Sequence, residues 1–206
     1  MSRSSLYGIT KDYKGKEIIE YKNSWLFAPV VWNVLSDKLL PRKHGYIQNI
    51  IGFGGQEVWE NINNILNNSN YLADRVLWEL SNEAIFKTKD KNIIADCIRD
   101  FLKVNSKYDK SYEDNIPVLK KDHVIERWNE IAMDIENLNE EEFPFFVFKN
   151  TSCDDSVEYW FIKYNKESDE YEERGLNECQ DLVTEFVIIE NDSIVDYIPN
   201  TEYEYQ

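Results

Sequence analysis

Residues 122–148 read DHVIERWNEIAMDIENLNEEEFPFFVF, and two periodicities meet inside that stretch. Up to Leu138, the apolar residues Val124, Ile125, Trp128, Ile131, Ala132, Ile135 and Leu138 return every three or four positions. That is the stripe of an amphipathic helix. Asp122 stands where an N-cap would. From Phe143 the spacing tightens into Phe145–Phe148, a dense run of β-forming side chains. The chain therefore changes from helix to strand near residue 139, and the helical stripe is wide enough to touch both parts, with Trp128 buried in it.

Helical spacing continues upstream. Pro29 suits a first turn and is followed by Val30, Val31, Val34 and Leu35. Val58, Ile62, Ile65 and Leu66 form a second stripe that ends near Asn67-Asn68, and Leu72, Val76, Leu77 and Leu80 form a third. The fourth is Ile93, Ile94, Cys97, Ile98, Phe101 and Leu102, and the polar stretch 105–118, closed by Pro117, reads as a loop. Downstream, Val157–Tyr164 predicts a second strand. Asn165–Asp169 turns it into a hairpin with Tyr171 onward. Leu182–Ile189, the turn Glu190–Ser193 and Ile194–Ile198 predict a further hairpin.

These readings predict an α+β fold: about five helices in the N-terminal two thirds, packed on a C-terminal antiparallel β-meander of four to five strands. Residues 1–138 form the helical part and 139–206 the β part, read as one continuous globular unit. One sheet face should pack on helices and leave the other wet and acidic, with the tail Thr201–Gln206 frayed.

Charge divides the chain at the same point. The 206 residues carry 23 Lys+Arg against 39 Asp+Glu, a net charge of −16. Residues 1–135 hold 19 of each sign, whereas residues 136–206 hold 4 Lys+Arg and 20 Asp+Glu. The first 43 residues lean basic, with 8 against 4. Such a chain repels nucleic acid and anionic membrane. With 42% hydrophobic and 14% aromatic residues it is not a disordered acidic tail either.

No motif announces a reaction. Gly52-Phe53-Gly54-Gly55 precedes a helix, but the Lys-Ser/Thr of a phosphate loop is replaced by Gln56-Glu57. His44 lies in a basic loop and His123 in the first turn of the helix at 122, neither with a sequence-readable partner. Cys97, Cys153 and Cys179 lack the short spacing of a zinc or redox pair, so Cys97 reads as a core side chain and no disulfide framework is implied. The acidic runs lack the alternating oxygen ligands and bend glycine of a calcium loop. No cofactor or metal is expected. The N-terminus has no apolar stretch for a signal peptide, and no run reaches the length of a membrane span. That predicts a cytoplasmic protein.

What remains is the acidic, aromatic last third, where Tyr159, Trp160, Tyr164, Tyr171, Tyr197, Tyr203 and Tyr205 are interleaved with carboxylates. Aromatic anchors supply interface energy and a field of one sign selects the partner. The expectation is a non-catalytic acidic inhibitor of a basic protein, a nuclease, toxin or defence effector, in the manner of bacterial immunity proteins or phage anti-defence proteins. The expected contact residues are Asp154, Asp155, Glu158, Glu170, Tyr171, Glu172 and Glu173, in and beside the first hairpin. Two other classes compete with it: a self-associating adaptor, such as a homodimer, and an enzyme without a readable motif.

Overall fold

Residues 3–22, which carry no helical period, form two strands of the sheet. In the computed structural model the described residues are 3–40, 55–108, 114–151, 158–179 and 184–205. Strand β1 (Arg3–Ile9) turns through Tyr13, whose φ is 61°, into β2 (Gly15–Lys22). Thr10 and Lys14 close the turn, with the Thr10 N–H donating to the Lys14 carbonyl at 2.9 Å. These strands escape a pattern reading because every residue from Ser4 to Ile9 is buried. A strand covered on both faces shows no alternation, and Ser4, Ser5 and Gly8 dilute the apolar signal.

The five expected helices are present: α1 (Ala28–Leu39), α2 (Gly55–Asn67), α3 (Leu72–Ser81), α4 (Lys91–Asn105) and α5 (Asp122–Glu136). Asp122 is the first helical residue of α5 rather than its cap. Lys121 occupies the cap position and no side chain caps the helix, so Asp122 contributes only its charge near the positive end of the helix dipole. The strands that follow are β3 (Ile85–Lys87, between α3 and α4), β4 (Phe145–Thr151), β5 (Ile162–Asn165), β6 (Glu170–Glu173), β7 (Glu185–Glu190) and β8 (Ser193–Pro199). Asn191 and Asp192, at φ 48° and 57°, make the two-residue turn joining β7 to β8.

The α+β reading holds, with the helices in the N-terminal part and most strands in the C-terminal part; the sheet is mixed and also takes in β1 and β2, which precede the helices. Its six strands run in the order β2-β1-β4-β3-β7-β8. All neighbours are antiparallel except β3 and β7, which pair in parallel through Ile85–Phe186 and Phe86–Val187. β5 and β6 form a separate two-stranded sheet. The second expected strand is broken: Glu158–Phe161 is a single helical turn, α6, and strand geometry begins only at Ile162. Trp160 and Phe161 are both buried, which an alternating strand would not allow on one face.

Helices α1–α5 cover one face of the six-stranded sheet. Trp128 is fully buried, with its indole N–H donating to the Leu26 carbonyl at 2.7 Å. Its ring lies 4.9 Å from Phe27, which lies 4.9 Å from Phe148 of β4. Trp128 thus reaches β4 through an aromatic intermediary, while α5 touches β2 directly through Asp134, which accepts from the Tyr21 hydroxyl at 2.7 Å.

The opposite face is also buried, which overturns the expectation of a wet acidic face. Tyr7, Ile9, Ile85, Phe145, Val147 and Phe186 of the sheet join Trp160, Phe161, Leu176 and Cys179 in a second core. Trp160–Phe161 and residues 174–179, on either side of the β5–β6 ribbon, cross this face as a third layer. Gly15 makes the crossing possible, because a Cβ there would lie 2.2 Å from the Phe161 ring; overpacking of this kind costs about 1–3 kcal/mol. The tail is part of the same layer and is not frayed. Tyr203 stacks on Phe186 at 3.8 Å, and the Tyr205 hydroxyl donates to the Asn200 carbonyl at 2.8 Å. Removing aromatic area from water outweighs the ordering of a few terminal residues.

Candidate functional site

The second core decides which aromatic rings of the acidic third stay in water. Of those in the acidic third, Trp160 is buried, and Tyr203 and Tyr205 pack on the second core. Tyr197 packs on the helical core and accepts a hydrogen bond from Arg75 at 3.0 Å. The side chain of Tyr159 lies outside the described residues. Tyr164 and Tyr171 alone among the described rings of this region are exposed, at 44% and 63%.

They face each other across the β5–β6 ribbon. The register pairs Ile162 with Glu173, Lys163 with Glu172, Tyr164 with Tyr171 and Asn165 with Glu170. Cross-strand partners share a face, so the tyrosines sit on one face and Glu170 and Glu172 on the other. The ring centroids are 5.4 Å apart and tilted by 57°. The Tyr164 hydroxyl donates to Asp169, the last turn residue, which reaches it from a positive φ of 58°. The Asn165 side-chain amide orders the turn by accepting from the Glu167 N–H at 2.8 Å, and it donates to the Glu172 carboxylate at 2.6 Å. Every residue from Lys163 to Glu173 except the half-buried Asn165 is exposed. The ribbon is wet on both faces.

The expected contact residues therefore divide. Glu170, Tyr171, Glu172 and Glu173 come together on this ribbon. Glu173 is engaged by Lys14 at 3.2 Å, so its charge is partly answered by the β1–β2 turn; exposed pairs of this kind contribute at most about 1 kcal/mol. Asp154 and Asp155 lie outside the described residues. Glu158 begins α6, but its side chain lies outside the described residues as well. Between the β1–β2 turn and the stretch after β6 lies an open depression of about 560 Å³, lined by Lys11, Lys14 and Arg174 together with Asp12, Glu173 and Glu178. Its mixed charges select neither sign of ligand.

A second polar cluster was hidden from the sequence because its members lie on different elements. Arg75 and Glu79 of α3 meet Tyr197 of β8 and Glu185 of β7. The Arg75 guanidinium donates to the Tyr197 hydroxyl at 3.0 Å and to the Ile194 carbonyl at 3.3 Å, and Tyr197 hydrogen-bonds Glu79. Burial, followed by the nearby Glu185 carboxylate, pushes the Glu79 carboxyl up to about 7. The cluster joins a helix to an edge of the sheet.

His123 is exposed in the first turn of α5, and His44 and Gly52–Gly54 lie outside the described residues. Burial, with Asp100 and Asp96 nearby, pushes the Cys97 thiol up to about 12, so it stays protonated. Cys179 is buried, and Cys153 lies outside the described residues. Among the described residues no three His, Cys, Asp or Glu side chains gather as metal ligands, and no helix is long and apolar enough to cross a membrane.

No protein-family model matches the chain, and no curated protein or solved structure matches it.

Proposed function

We propose that this chain is a non-catalytic binding protein that blocks a basic, nucleic-acid-processing protein in the cytoplasm, in the manner of toxin-immunity or phage anti-defence proteins. The docking element is the β5–β6 ribbon. The observation that carries this reading is that Tyr164 and Tyr171 stay in water on an acidic ribbon while the fold buries the neighbouring rings. Exposed aromatic side chains with few rotatable bonds are efficient interface anchors. The surrounding carboxylates raise the encounter rate with a basic partner and disfavour an acidic one. The net charge of −16 argues in the same direction against nucleic acid itself as the ligand.

The test is a capture experiment run in parallel with the native chain and a Glu170→Lys/Glu172→Lys variant. Glu173 is left in place, because replacing it would set a lysine against Lys14. The native chain should retain a basic protein at low salt and release it near 0.5 M salt, where screening lengths fall to a few ångströms. The variant should retain far less of it, and the purified partner's nuclease or toxic activity should be inhibited stoichiometrically. Equal retention by the variant would remove the ribbon from the account. A mass that rises with concentration, with nothing retained, would make the chain a self-associating module instead.

A further inference from the structure

Tyrosines of this protein repeat one arrangement. The Tyr21 hydroxyl donates to Asp134 at 2.7 Å, and the Arg127 guanidinium lies over the ring at 5.3 Å. The Tyr71 hydroxyl donates to Asp100 at 2.6 Å, and the Lys38 ammonium lies over that ring at 4.8 Å. In each case a carboxylate holds the phenol and draws on its proton, which enriches the ring in electrons, and a cation occupies the ring face. Cations over such faces gain electrostatically from the ring quadrupole.

Tyr164 repeats the first half of this arrangement. Its hydroxyl donates to Asp169, and its ring is braced against Tyr171. Among the described residues no cation lies over either ring. Of the nearby cations, Lys163 faces Glu172 on the opposite side, Lys14 is held by Glu173, and Lys166 lies in the turn. Five acidic residues against two lysines lie between Ile162 and Glu173.

Building on the inhibitor reading above, we propose that Tyr164 and Tyr171 are a recognition pair for a cationic side chain of the partner, preferentially arginine. A guanidinium is flat enough to lie on one ring while its edge N–H groups still reach carboxylates such as Asp169, and it sheds its hydration more readily than an ammonium. Lysine can take the ring face but has no planar edge to offer the acids. An apolar partner side chain would gain from the rings, yet it would leave the nearby carboxylates partly desolvated without a counter-charge.

The probe is a hexa-arginine peptide, with hexa-lysine for comparison, titrated against the full chain at physiological salt. The Tyr164→Leu/Tyr171→Leu variant keeps the charge and loses the rings; Glu170→Gln/Glu172→Gln keeps the rings and loses charge. Tyr164→Phe/Tyr171→Phe guards against disturbance of the hairpin, since both rings remain. The native chain should bind hexa-arginine several-fold more tightly than hexa-lysine. The leucine variant should lose about 5–30-fold, the range expected for one or two cation–π contacts. The phenylalanine variant should lose about two- to three-fold, because its rings are no longer held by Asp169. Arginine side-chain protons should shift upfield under the ring currents of the native chain and not of the leucine variant. Binding by the leucine variant equal to the native chain overturns the ring pair. If the glutamine variant still weakens binding in that case, the acidic ribbon survives without it; if neither variant weakens binding, the ribbon reading falls too.

Discussion

Glu79 is where solution pH reaches the fold. Its folded carboxyl titrates near 7, above the 4.5 of the free side chain, because burial and the Glu185 carboxylate both disfavour its charge. Between those values the native state holds a proton that the unfolded chain has released. The contribution is fully present below about pH 4.5 and is lost as pH rises through 7. Chemical denaturation from pH 5 to pH 8 should show Glu79→Gln gaining on the native chain by up to about 3 kcal/mol. A constant difference over that range would mean that Arg75 and Tyr197 already stabilise the charged form in full. None of this was legible in the sequence, where Glu79 is one carboxylate among 39 acidic residues and both Glu185 and Tyr197 lie more than a hundred positions away.

At the scale of elements, legibility followed burial. Helices α1–α5 bury one stripe each, so their period survives in the residue order. The β7–β8 hairpin was readable from Asn191-Asp192, whose small polar side chains tolerate the positive φ the turn requires. β1 was not readable, being covered on both faces, and three-residue β3 is too short to carry any period. The 158–179 layer misled because Trp160 and Phe161, adjacent in sequence, both turn inward within one helical turn. Of the β5–β6 ribbon, the strand–turn–strand and its acidic residues were legible. Which tyrosines would remain in water was not, since that depends on the layer covering the second sheet face. The tail offers a direct check on that layer. Ending the chain after Asn200 removes Tyr203 and Tyr205 from Phe186 and Tyr13. It should cost about 2–4 kcal/mol, judged by the loss of two partly buried rings, and should raise binding of a hydrophobic dye. A loss below about 0.5 kcal/mol would mean that the tail adds nothing to this face.

Across the whole molecule, charge and topology are laid out differently. The negative charge belongs to the last third, yet the sheet is woven from both ends: β1 pairs with β4, and β3 lies between β4 and β7. Expressed separately, residues 1–138 and 139–206 should each fail to give a sharp unfolding transition, and mixing them should restore one. A cooperative transition in either piece alone would show that the helical and β parts fold without each other.

The position of β3 also bears on how the protein comes into being. A ribosome releases the chain from its N-terminus at roughly 5–20 residues per second, and Ile85 and Phe86 emerge long before their parallel partners Phe186 and Val187. Until β7 leaves the exit tunnel, the middle of the sheet is an open seam with phenylalanine on both sides. The helices can gather while synthesis continues, but this seam closes only once β7 has been made. Until then the edge of β3 that β7 will cover presents unpaired backbone groups, which invite pairing with other chains.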